Sequence, residues 1–331
     1  MSEQLTARER VQAALHGEAL DHPPVSLWRH FPERDQSAAD LALATLEWQQ
    51  QFQLDFIKLM PPGDYATIDW GAVSEFQGAP GGTRTTTHYP VSAPEDWSAI
   101  KPVPATAGFN AHVVETCRLV RQALGPDIPI LQTVFSPLTI AHKLSAGRVL
   151  DHLRSDPDAV LSALEVIRDV TVELTKASLA AGASGVFFAS QCATSDMLTP
   201  EEYAIFGTPF DLPVLAAAID NSEFTLVHIH GTNAFFDVLA EYPAHALNWH
   251  DRRVGPAIPT ALSAHPAKAA VAGIDEHGIA SMTPDDVRAQ VLDARASAGD
   301  RRLLIGTGCV ALVATPAANI RAAVAAARET R

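Results

Sequence analysis

Gly185-Val186-Phe187-Phe188-Ala189-Ser190 (GVFFAS) and Phe224-Thr225-Leu226-Val227-His228-Ile229-His230 (FTLVHIH) are short apolar runs that end in polar residues. Longer amphipathic, Ala-rich segments separate such runs, among them Asp158 to Ala181. A strand buried on both faces reads this way, as a near-continuous apolar run with no polar face, and a helix between two such runs makes the strands parallel. Working outward, the same pattern recurs at Pro24 to Arg29, Leu54 to Met60, Ile128 to Phe135, His245 to Trp249, Ala270 to Ile274 and Arg302 to Gly306, which makes eight runs. Helix starts are marked between them. Ser155-Asp156-Pro157, Thr199-Pro200-Glu201-Glu202, Thr283-Pro284-Asp285-Asp286 and Thr315-Pro316 each set a capping side chain before a Pro at the first helical position. Eight strands alternating with helices predict an α/β fold, a (β/α)8 TIM barrel. The competing doubly wound open sheet lacks the glycine-rich phosphate-binding signature that often marks it.

One connection is irregular. The stretch from about 61 to 100 is too long for a simple βα loop, and GAVSEFQGAPGGTRTTTHYPV within it reads as polar strands around Gly81-Gly82. A hairpin insertion after the second strand, over the barrel mouth, is expected, as a lid or as part of a subunit interface. No linker or low-complexity tract interrupts the chain, so residues 1–331 are expected to form a single domain.

Composition narrows the partners. A formal net charge of −14 argues against nucleic acid, whose phosphates require a basic surface. The N-terminal MSEQLTARERVQAALHGE is charged and lacks a signal-peptide core, and no run approaches the roughly 20 apolar residues of a membrane span. Three cysteines, Cys117, Cys192 and Cys309, are too few for a disulfide framework. The expectation is a cytoplasmic protein with a small-molecule substrate and no membrane or nucleic-acid partner.

In such a barrel the active residues stand at the C-terminal ends of the strands. That position holds Arg29 with His30, Lys58 with nearby Asp64, Ser136, and Ser190 with Gln191 and Cys192. It continues with His228 and His230, Trp249 with His250 and Asp251, Asp275, and Cys309. His228 and His230 lie two apart on a strand, so both imidazoles face one side. With the thiolate of Cys309 they make a ligand set that suits Zn²⁺ and leaves a fourth position open. The fifth and eighth runs are not adjacent in a barrel, so the loop after the eighth must reach across the mouth. The plain alternative is two histidines bonded to neighbouring loops and a half-buried thiol. His250 is a candidate fourth ligand or general base, and Cys192 a candidate substitute thiolate. Arg29 suits a carboxylate or sulfonate, with a structural ion pair as the alternative. Lys58 could do the same, although its acidic neighbours in sequence favour a structural role. Asp275 reads as a loop cap.

These residues resemble a known family. PVSLWR (Pro24 to Arg29) resembles the uroporphyrinogen decarboxylase signature P-V-W-x-M-R, with Arg29 on its substrate-binding arginine. Ala181 to Tyr203 resembles the A-G-A-D…F-D-S-W-A-G…L-S-P-x-x-Y block, with Ser190 on the serine. AVAGIDEHGIA (Ala270 to Ala280) resembles L-Q-G-N-L-D-P…L, and GCVALVATP (Gly308 to Pro316) lies on G-H-G-I-x-P-x-T-P. The departures are equally informative. The second arginine falls on Glu33, beside Arg34, and the pyrrole-binding aspartate has only Asp55 or Asp64. The tyrosine falls near His142-Lys143, the aspartate before the serine is Ala189, and the histidine of the last motif is Cys309.

The departures resemble the methyltransferase branch of the superfamily, which includes methylcobalamin:coenzyme M methyltransferases and, more distantly, cobalamin-independent methionine synthase. That branch carries a zinc motif H-x-C…C. Here HIHG supplies His228 and His230, and Cys309 stands on the last cysteine. With His230 in place of a cysteine the set stays zinc-competent but is less electron-rich. Position and resemblance together give as expectations metal ligands His228, His230 and Cys309, catalytic residues Arg29, Ser190 and His250, and substrate contacts Arg29, Lys58, Asp64 and Ser190. The resemblance implies zinc as cofactor, a corrinoid as methyl donor, a corrinoid protein as partner and a homodimer. Three readings stand at this point: a zinc-dependent methyltransferase-like enzyme acting on a small thiol, a decarboxylase of a porphyrinogen or other carboxylate, and a non-catalytic tetrapyrrole or corrinoid binder.

Overall fold

The computed structural model describes residues 4–329. Among them the strands are β1 (Ile57–Lys58), β2 (Val73–Glu75), β3 (Thr85–His88), β4 (Ile130–Phe135), β5 (Gly185–Ser190), β6 (Leu226–Ile229), β7 (Ala246–Trp249), β8 (Ala269–Ile274) and β9 (Leu303–Thr307). All but β2 and β3 form one parallel sheet in chain order, β1-β4-β5-β6-β7-β8-β9, with helices packed outside it. Every residue of β4, β5, β8 and β9 is buried, as runs without a polar face require. None of the helices is long and apolar enough to cross a membrane among the described residues.

The sheet curls into a barrel, and the closing piece departs from expectation. Pro24 to Arg29 does not form a strand; only Val25 bridges, to Ile305 of β9. Pro23 and Pro24 have no N–H to give a ladder, and the Val25 N–H goes to the Asp55 carboxylate at 2.9 Å. The segment still joins the two edges of the sheet. Ser26 N–H donates to Ile305 O at 3.0 Å, Ile305 N–H to Pro24 O at 2.7 Å, and Asp55 N–H to Val25 O at 2.9 Å. Asp55, one of the two candidate pyrrole-binding aspartates, is therefore a closure residue just before β1.

Helix starts largely follow the punctuation. Asp156 caps Pro157–Ala180, and Thr199 and Thr283 form capping boxes for Pro200–Phe206 and Pro284–Ala298. Thr315 does not cap. The last helix, Ala317–Ala327, takes Pro316 at its N-cap position, and the Thr315 hydroxyl is buried without a partner.

The hairpin is present, with β2 and β3 antiparallel. Its tip is tied to the barrel mouth by Val313 N–H to Pro80 O at 2.8 Å and by Arg84 to Asp35 at 3.2 Å. Gly82 sits at φ 78°, and a Cβ there would lie 2.6 Å from the His30 Cβ, so only glycine brings the tip this close.

Closure depends on a buried ion triad. Arg10 reaches Asp55 at 2.7 Å and Asp21 at 2.7 Å, and all three side chains are buried or nearly so. Burial alone would raise the Asp21 carboxyl, but its bonds to Arg10 and the His22 N–H outweigh this and hold it down to about 2. Arg10→Met leaves two carboxylates unpaired and should cost about 3–5 kcal/mol, read from the urea midpoint. Because the folded value lies below the unfolded value of about 3.9, this stability is present above pH 4 and lost as pH falls toward 2. The acid-side loss should shrink in the variant.

Candidate metal centre and its cavity

Alternation along the strands decides what faces the barrel axis. On β5, Phe187 and Ala189 line a cavity of about 300 Å³ at the mouth, and on β6 His228 does, followed by His230. The chain then leaves β6 through Gly231, at φ 93°. Neighbouring strands are in register, so Ala189, His228, Asn248 and Val271 form one lateral row.

Cys309 reaches the histidines across two intervening strands. Gly308 N–H bonds Ile274 O at 3.1 Å, and the loop passes over the end of β7. A Cβ on Gly308 would lie 2.8 Å from Trp249 O and 3.0 Å from the His250 Cα. Glycine is therefore required for the crossing. Cys309 Sγ ends 3.6 Å from His228 Nε2 and 3.8 Å from His230 Nδ1. His250 Nε2 lies 3.3 Å from His230 Nδ1. One donor atom from each of His228, His230, His250 and Cys309 falls within 4.8 Å of the others.

The donor set fits zinc on two counts. A tetrahedral ion with Zn–N near 2.0–2.1 Å and Zn–S near 2.3 Å has N···N edges of about 3.3 Å and N···S edges of about 3.6 Å, close to the 3.3, 3.6 and 3.8 Å separations above. The tautomers also fit. The Asn248 amide donates to Val271 O at 2.6 Å and Thr307 O at 3.0 Å, which assigns its oxygen to His228 Nδ1 at 2.6 Å. His228 must then carry its proton on Nδ1 and turn the Nε2 lone pair toward Cys309. Glu276 accepts from His250 Nδ1 at 2.7 Å and turns its Nε2 inward in the same way. Burial, reinforced by His230 and His250, pushes His228 well below its ordinary value, and burial with His250 takes His230 down to about 4. Neutral imidazoles are the form that binds metal. Burial raises the Cys309 thiol to about 11, and a bound cation would reverse that.

The other expected residues separate. Lys58 lines the cavity with its ammonium 4.4 Å from the Phe187 ring centre and 6.0 Å from that of Trp28. No acidic partner holds it, contrary to the structural role suggested by its neighbours in sequence. Burial pushes it down to about 7. Asp64 is buried with both carboxylate oxygens unpartnered, next in sequence to Gly63 of the cavity lining and not itself part of it. Arg29 points into an adjoining pocket of about 290 Å³, between Phe31 and Trp48 at 5.4 and 5.0 Å, and donates to Val313 O. It is not in the chamber with the histidines; His30 lines both spaces.

Ser190 is a correction. The same alternation that turns Ala189 inward turns Ser190 outward, where its hydroxyl meets Tyr203 at 3.2 Å, and Tyr203 donates to Asp211 at 2.7 Å. It therefore braces the helices behind β5 and does not reach the cavity. Cys192 is buried near Leu138 O, away from the cluster, and Asp275 accepts from the His277 and Gly278 N–H groups as a loop cap.

Three residues of the site were missed. Asn248 could have been found from its place beside His228 in the strand register. Glu276, and Lys143, which lines the cavity from the helix Pro137–Leu144, carried no local signal, because each reaches the site from a loop or helix whose direction the sequence does not specify.

A sequence profile described as Uroporphyrinogen decarboxylase (URO-D) matches residues 6–330. Among curated proteins, Methylcobamide:CoM methyltransferase MtaA of Methanosarcina barkeri is 26% identical over 220 residues, 66% of this chain and 63% of that protein. MtaA of M. barkeri strain Fusaro is 28% identical over 131 residues, 39% of this chain and 38% of that protein. The match thus spans less than two thirds of either relative. Among solved structures, a methyltransferase from Methanosarcina mazei superposes with TM-score 0.85 at 20% identity, covering 98% of both chains. A B12-independent methionine synthase from Shewanella sp. W3-18-1 gives 0.58 at 15% identity, over 93% of this chain and 92% of that one. At these identities the structures establish the shared fold.

Ser190→Ala should cost about 1 kcal/mol of stability through one lost buried hydrogen bond and leave zinc uptake unchanged. A denaturant melt and a zinc titration on the same variant check both halves.

Proposed function

Because the chain belongs to the uroporphyrinogen decarboxylase (URO-D) family, we propose that it is a zinc-dependent, methyltransferase-like enzyme that activates a small thiol for methyl transfer. The observation that carries this reading is the convergence of His228, His230, His250 and Cys309 at the cavity wall. The M. barkeri relatives are named for transfer between a methylcobamide and CoM, which favours a corrinoid as methyl donor and a corrinoid protein as partner. The proposal includes a homodimer in the cytoplasm.

When bound, zinc supplies Lewis acidity that lowers the pKa of a coordinated thiol, so that thiolate is available near neutral pH. The chain's own residues prepare the place. Asn248 and Glu276 fix which nitrogen His228 and His250 present, so little reorganisation of these two is needed when the site fills. Trp28, Phe135 and Phe187 keep the chamber apolar, which strengthens electrostatic interactions inside it. A volume near 300 Å³ is at the low end of small-molecule sites and suits a small thiol better than a tetrapyrrole. His230 and His250 follow the ends of β6 and β7 and both face an open pocket of about 490 Å³, whereas His228 is within a strand. The decarboxylase reading is weakened by Ser190 and Arg29, neither of which shares the chamber.

Protein purified without chelators should hold about one zinc per chain by elemental analysis. His228→Ala and Cys309→Ser should lose it, and His250→Ala should retain it more weakly, since three donors remain. Asn248→Leu should weaken binding about 10–100-fold. With the thiol near 11, each zinc bound near neutral pH displaces about one proton from Cys309. The apparent affinity should therefore rise about tenfold per pH unit between 7 and 9. Full zinc retention in Cys309→Ser, or absence of zinc from every form, removes the proposal.

A further inference from the structure

The cavity that contains the histidines also receives two ammonium groups from the other arc of the barrel. Lys58 comes from β1, and Lys143 from the helix Pro137–Leu144 that follows β4. Lys58 is buried, and its neighbours are the Phe187 and Trp28 rings and the Met60 thioether at 2.7 Å, a weak acceptor that neutralises no charge. Lys143 is half-buried, with its ammonium 5.0 Å from the Phe135 ring centre. Neither forms an ion pair among the described residues, and no Asp or Glu lines the cavity. Asp64 acts on Lys143 from outside the lining, through space only. A thioether and aromatic faces hold a buried cation far less well than a carboxylate, so the chamber favours an occupant that brings negative charge.

From this geometry we propose, resting on the thiol reading above, that the substrate is a thiol carrying two carboxylates, with Lys58 and Lys143 each seating one. The lysines stand on different elements, so each can take its own carboxylate. The absence of acids from the lining leaves an ammonium group of the substrate without a partner, so an amino-acid thiol is disfavoured.

The test is calorimetric titration of the zinc-loaded protein with mercaptosuccinate, 3-mercaptopropionate and 2-mercaptoethanol, and with succinate as the form lacking sulfur. Mercaptosuccinate should bind at least about tenfold more tightly than 3-mercaptopropionate, and that about tenfold more tightly than 2-mercaptoethanol, one charge-assisted bond per step. Lys58→Met and Lys143→Met should each remove one step and leave 2-mercaptoethanol binding unchanged, with zinc content confirming that the variants fold. Equal affinity for the three thiols overturns the subsite and leaves the thiol reading standing. Succinate binding that needs both lysines and gains nothing from a thiol supports the subsite and counts against the thiol reading. Should a variant fail to fold, the wild-type series decides alone.

Discussion

The barrel is held shut by a carboxylate acting where a strand would ordinarily pair. Asp55 takes the Val25 N–H with one oxygen and Arg10 with the other, so the short Pro24–Ser26 segment lies between β9 and β1 although two prolines prevent a full ladder. Everything at the mouth depends on this. Once the ring is closed, the twofold alternation of each buried strand leaves no choice about which residues meet at its axis.

That constraint explains both what the site contains and what it excludes. His228 and Asn248 share a row, so a histidine and the amide that sets its tautomer meet without any loop. Ser190 is next to Ala189 on β5 and is excluded by a single step of the pleat. Cys309 is instead delivered by a loop, and its arrival depends on Gly308 having no side chain where it crosses Trp249.

How much was legible follows the same division. Seven of the eight expected runs are strands, and the hairpin stands where polar strands around Gly81-Gly82 suggested it. The exception, Pro24 to Arg29, failed because apolar content does not compensate for missing N–H donors. The meeting of His228, His230 and Cys309 was readable, since two of them lie two residues apart on one apolar run and the third stands on a glycine-flanked turn. Arg29 was legible as a residue of the mouth and not as a resident of the neighbouring pocket. The partition made by His30 arises from side-chain packing that no local pattern encodes. Lys143 looked like a gap in a motif, and only the direction of its helix brings its ammonium into the cavity.

The two chemical ends of the cavity belong to different arcs of one closed ring: the donors to β6, β7 and the loop after β9, the ammonium groups to β1 and the helix after β4. The strands place Lys58 and His228, while a helix and a loop deliver Lys143 and Cys309, so the relation between the two groups depends on both. Changes confined to the hairpin alter the approach to the cavity and leave Lys58 and His228, which the strands place, where they are.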